Sequence, residues 1–205
     1  MSEINVKKEF AQYGKYCFIL AILCIFAFTF ELLRFVFVIS VLQYVSWVIQ
    51  LFIIIVMILS ILNVGKAGKT LKNDNLLGFR NFIIIGGILI GIGLAAILSA
   101  ATGQSSDPGS SEAVQIYTTY GILILFGLIL IIVGVILEIL AWVKLIRFFN
   151  NNMSMFPNNI GKNAKSGATL CLVGAILTLT IILAIIGFIL YVIGYFKLSS
   201  LKRLE

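Results

Sequence analysis

Histidine is absent from all 205 residues, and with it go the commonest metal ligand and the usual proton carrier near neutral pH. Charge is scarce too: 15 basic and 8 acidic residues make 11% of the chain, against about 25% in an average soluble domain. Cys17, Cys24 and Cys171 all lie inside apolar runs. Their odd count makes no disulfide framework, and two thiols seven apart close no metal site. No Ser/His/Asp set and no metal-ligand cluster can be assembled. A non-enzymatic protein with no catalytic residue, metal or cofactor is therefore expected.

What is present is apolar. Hydrophobic residues make 61% of the sequence, gathered into five candidate spans at about 16–38, 43–63, 82–102, 116–143 and 168–196. Each reaches the roughly 20 residues that a bilayer-crossing helix needs, and none alternates like a barrel strand. The prediction is an all-α fold, a polytopic membrane helical bundle of about five transmembrane helices, forming one integral membrane domain over residues 1–205. Between Gly14 and Gly65 there is no Gly or Pro, and one unbroken helix there would reach roughly 72 Å. A turn is thus predicted near Val38 to Gln43, with Tyr44 and Trp47 as interfacial anchors. Lys7, Lys8 and Lys15 precede the first run, which lacks a cleavage site and reads as a retained span.

The net charge of +7 sits between the spans. Segment 64–81 carries Lys66, Lys69, Lys72 and Arg80 against Asp74, and segment 144–167 carries Lys144, Arg147, Lys162 and Lys165 with no acid. Both read as cytoplasmic, and the acidic, Gly-Ser-rich segment 103–115 as external. A multi-pass cell-membrane protein with a cytoplasmic N-terminus follows. Five spans place the C-terminus outside, although Lys197, Lys202 and Arg203 favour the inside. A hairpin within 168–196 would reconcile the two, but its arms of about 14 residues, roughly 21 Å, are too short to span. One long fifth span is expected.

Small residues mark helix contacts. Gly87, Gly91, Ala95, Ser99 and Gly103 recur every four residues in the third span, a GxxxG-like row for close helix approach. Gly127, Gly134 and Ala141 recur every seven in the fourth, and Thr180, Gly187 and Gly194 in the fifth. The first two spans carry Phe18, Phe26, Phe28, Phe30, Phe35 and Phe37 and no glycine; they read as lipid-facing or fitted to a partner subunit. The intramembrane polar candidates are few. Glu31 and Arg34 lie three apart and can pair, while Glu138 is expected to snorkel or to meet a cytoplasmic lysine.

Asn63 to Lys69 (NVGKAGK) recurs as Asn159 to Lys165 (NIGKNAK), which suggests that 43–102 is repeated as 116–196. The first copy is no phosphate loop: Asn63 stands where the first glycine is required, and an apolar helix replaces the strand. Lys66, Lys69, Lys162 and Lys165 are instead candidates for anionic headgroups on cytoplasmic turns.

Residues 161–198, from GKNAKSGATLCLVGAIL to IGFILYVIGYFKL, resemble small multispan archaeal membrane families of unknown function. The resemblance implies a membrane protein without an assigned activity and supplies no site residues. The expected role is a structural or accessory subunit of a membrane assembly. The alternatives are a small transporter or channel using Glu138 and the glycine-rich third span, and an anionic-lipid-binding organiser. The expected partners are the lipid bilayer and a homo-oligomer or larger membrane complex, not nucleic acid.

Overall fold

The computed structural model describes residues 2–37, 40–102, 111–157, 159–180 and 183–204. Among these residues run six α-helices: α1 Ser2–Phe37, α2 Ser40–Leu71, α3 Asp74–Thr102, α4 Ser111–Asn151, α5 Ile160–Thr178 and α6 Ala184–Leu198, followed by a 3₁₀ segment, Ser199–Leu204. In an apolar medium no water satisfies the peptide groups, so each run closes its hydrogen bonds within itself. Among the described residues, five helices are long and apolar enough to cross a membrane: Asn5–Arg34, Leu42–Leu71, Asp74–Thr102, Thr119–Asn151 and Ala184–Leu204. The molecule is a helical membrane bundle.

The helices pair in sequence as three antiparallel hairpins, α1 with α2, α3 with α4, and α5 with α6. Close backbone approach sets two of them. A Cβ on Gly86 would stand 2.7 Å from the Gly134 carbonyl oxygen, and one on Gly93 2.6 Å from that of Gly127. In the third hairpin the same test puts Gly167 2.6 Å from the Gly194 oxygen and Gly174 2.9 Å from the Gly187 oxygen. Such gaps admit hydrogen alone, and they recur every seven residues on each helix, the spacing of shallow left-handed packing.

The contact face of α3 is therefore Phe79, Gly86, Gly93 and Ala100, all buried, and not the predicted row. Gly87, Gly91, Ala95 and Ser99 are exposed, and a Cβ on Gly87 or Gly91 would meet nothing within 4 Å. The reason is rotational. A step of four residues advances about 40° around a 3.6-residue helix, so a four-spaced row winds off its partner, whereas a seven-residue step drifts by only about 20°.

The single fifth span is also corrected: residues 168–196 fold into the hairpin of α5 and α6. The first arm begins at Ile160 and has 19 residues, about 28 Å of helix. The second arm runs on from α6 through the 3₁₀ segment, Ala184–Leu204, 21 residues; counting both arms within 168–196 made them too short. The break has neither Gly nor Pro. Thr178 and Thr180 turn their hydroxyls back onto the Ala175 and Leu177 carbonyls, a competition with the helix ladder that favours a bend.

The repeated heptapeptide lies at opposite helix ends. Asn63 to Lys69 is helical, inside α2, and the turn comes after it, at Lys72 with φ 49°. The Asn73 side chain then caps α3 by accepting from the amides of Asn75 and Leu76 at 3.0 and 3.3 Å. The second copy instead opens α5. Residues 38–39, within the predicted first turn, and residues 103–110 of the predicted external segment, with Gly103, lie outside the described residues; Tyr44 and Trp47 stand in the first turns of α2, their ring centroids 5.7 Å apart.

All three hairpins converge at the lysine-rich end. Val6, Phe10 and Tyr13 of α1, Val64 and Ala67 of α2, Leu76 of α3, Phe148 and Phe149 of α4, Ala164 of α5, and Leu198 with Leu201 form one buried core. Four rings close its centre: Phe10 stacks on Phe148 at 5.4 Å and meets Phe156 edge-on at 5.5 Å, with Phe149 5.5 Å from Phe156. Thus α1 begins well before its predicted span, its first turns burying Val6, Phe10 and Ala11 while Lys7 and Lys8 stay exposed. The C-terminal segment packs on α1, so both ends of the described chain lie on this side.

A candidate intramembrane binding cavity

A cavity of about 310 Å³ lies between the hairpins, just beyond the aromatic core. Tyr13 and Leu20 come from α1, Met57, Ser60 and Ile61 from α2, and Phe79, Ile83, Gly87, Ile90, Gly91 and Leu94 from α3. Glu138 and Trp142 of α4 and Tyr195 of α6 close the polar end. Gly87, Gly91 and Leu94 are exposed, so the α3 wall opens to the apolar flank of the molecule. The glycine row read as a packing seam thus spares volume for the cavity.

Both true seams position its chemistry. On one side, Gly86 packs on the α4 backbone from Gly134 to the amide of Glu138, which fixes where the carboxylate emerges. On the other, a Cβ on Gly174 would stand 2.9 Å from the Tyr191 ring, so the bare glycine lets that ring lie close against α5. Between them the Tyr191 hydroxyl donates to Glu138 Oε1 at 2.5 Å. Glu138 therefore meets a tyrosine of α6 and not the expected lysine; the Lys144 stem lies along Gly78.

Aromatic rings complete the frame. Trp142 lies 5.4 Å from Phe79, 6.3 Å from Tyr191 and 6.4 Å from Tyr195. Its indole N–H is near the Glu138 carboxylate but outside hydrogen-bond geometry, and is buried without a partner. A carboxylate offers about four acceptor positions, and one is taken by Tyr191. Acceptor positions of Glu138 therefore remain at a largely apolar chamber, an arrangement able to hold an oily molecule by a hydrogen-bond-donating head.

The remaining predicted residues lie elsewhere. Gly127, Gly134, Gly187 and Gly194 are in the hairpin seams. Ala95 and Ser99 face outward, with Ser99 donating to the Ala95 carbonyl. Glu31 pairs with Arg34 at 2.9 Å and also accepts from the buried Ser46 hydroxyl, tying α1 to α2 at the end far from Glu138. Lys66 and Lys69 project from the end of α2, and Lys162 and Lys165 from the start of α5. Sequence reasoning missed Tyr13, Ser60, Trp142, Tyr191 and Tyr195. Polar-tipped rings within apolar runs were the available signal, because a buried phenol or indole needs a partner.

Compared with known proteins, the chain matches no protein-family model, no curated protein and no solved structure.

Proposed function

We propose that this multi-pass membrane protein is non-enzymatic and holds a small amphiphile in the Glu138 cavity, its basic end in the cytoplasm, as an intramembrane binding protein or small carrier. One observation carries this: a partly buried carboxylate with acceptor positions to spare lines a largely apolar chamber that opens sideways. The ligand class follows, an apolar body with a cationic or hydrogen-bond-donating head.

Dodecylamine, dodecanol and dodecanoate test it in nanodiscs. Melting temperature and Trp142 fluorescence, in a Trp47→Phe background, should respond to the amine most and to dodecanoate least. Glu138→Gln should weaken amine binding by about tenfold to a hundredfold, the worth of a charge-assisted hydrogen bond. Equal responses to the three, or an unaltered Glu138→Gln, would overturn the proposal.

The structural or accessory-subunit role is a second reading, supported by the outer halves of α1 and α2. There Phe26, Phe28, Leu32, Phe37 and Phe52 are exposed, and lipid or a neighbouring helix must cover them. Stoichiometric co-purification of one partner from native membrane, lost on Phe26→Ala with Phe52→Ala, would favour it over the binding role.

A further inference from the structure

Folding α6 back along α5 gathers cations that are remote in sequence. Lys197 ends α6 and donates to Ser166 Oγ at 2.9 Å, while Lys202 and Arg203 follow on the 3₁₀ segment. Beside them lies a groove of about 270 Å³, edged by Asn163, Phe196, Lys197, Ser200, Lys202 and Arg203. Lys162 and Lys165 line a second hollow across the Lys197–Ser166 contact. Among the described residues none of these five cations has a carboxylate partner; the ion pair there is Glu31 with Arg34, at the far end.

Two further features define what fits. Ser200 edges the groove, and its hydroxyl is buried and lacks a partner; turned toward the groove, it would join the Lys, Arg and Asn donors that line a phosphate site. Below the groove, Ile189, Ile193 and Phe196 form an exposed apolar stripe on one face of α6. A free phosphate has no use for that stripe, whereas an acyl chain does. Lys202 is held in place, its ammonium 3.9 Å over the Phe18 ring.

We propose that the groove between α5 and the C-terminal 3₁₀ segment binds the phosphate headgroup of an anionic lipid, with an acyl chain along Ile189, Ile193 and Phe196. This site is separate from the Glu138 cavity.

Native mass spectrometry of the full chain in detergent, with added phosphatidylglycerol, phosphatidylcholine or glycerol phosphate, tests it. One phosphatidylglycerol per chain should be retained in preference to phosphatidylcholine, and glycerol phosphate should bind far more weakly. Combining Lys197→Gln, Lys202→Gln and Arg203→Gln should weaken retention by about fivefold per charge, while Lys66→Gln with Lys69→Gln leaves it unchanged. Should the triple variant fail to fold, the exposed Arg203→Gln alone reads the same fivefold change. Equal retention of both lipids, an unaltered triple or Arg203→Gln variant, or glycerol phosphate binding as tightly as lipid would each overturn the proposal.

Discussion

Gly91 and Gly93 stand two residues apart on α3 and have opposite surroundings. A Cβ at Gly93 would be 2.6 Å from the Gly127 carbonyl oxygen and 2.8 Å from Ile131 Cγ1, while one at Gly91 meets nothing within 4 Å. Gly93→Leu should therefore lower unfolding stability by about 1–3 kcal/mol through overpacking against backbone that cannot yield. Gly91→Leu should leave the melting temperature nearly unchanged yet fill the cavity and reduce dodecylamine binding. Thermal melts and the amine titration on both variants check the contrast. At this scale the sequence supplied residue types but not their faces: small residues at both four and seven spacing were visible, and only the geometry of two helices selects between them. Glu138 was legible as an intramembrane acid. Its partner was not, because Tyr191 lies 53 positions away on a helix whose existence depended on the break at residue 179.

That break governs what was legible among the elements. Helix content and the separation of α1 from α2 could be read from run length alone, since a 72 Å helix fits no bilayer. The α5–α6 hairpin left two traces that pointed the right way: the basic tail, and small residues placed symmetrically about residues 180–181, Gly167 opposite Gly194 and Gly174 opposite Gly187. Length reasoning overrode them because the polar first turns of α5, with Lys162 and Lys165, were excluded from the arm. The hairpin brings the tail back to the end of α2, so single cysteines replacing Lys69 and Arg203 should react with an impermeant maleimide from the same membrane side. Labelling from opposite sides would restore the unbroken span.

For the whole molecule, stability is concentrated where the three hairpins meet. Phe148 is fully buried among Phe10, Phe149 and Phe156, so Phe148→Ala should cost about 3–5 kcal/mol. Because α1, α4 and the link leading into α5 share that cluster, the loss should lower one common transition and not release a single hairpin. Denaturation followed separately at Trp142, beside the core, and at Trp47, at the opposite end, should show the two midpoints falling together. No part of α1 before residue 16 was legible as core, because convergence of six helix ends is a property of the assembled fold that no single run carries.

The sideways opening of the Glu138 cavity has a consequence for how tightly it needs to hold anything. A molecule arriving through the α3 wall comes from the bilayer, where an oily compound is already enriched over water. A thousandfold partition coefficient is equivalent to about 4 kcal/mol. The chamber can thus be filled by a solute it holds with only millimolar strength measured from within the lipid, and such a solute leaves quickly. For the proposed ligand, fast exchange at high occupancy is the expected outcome of that opening.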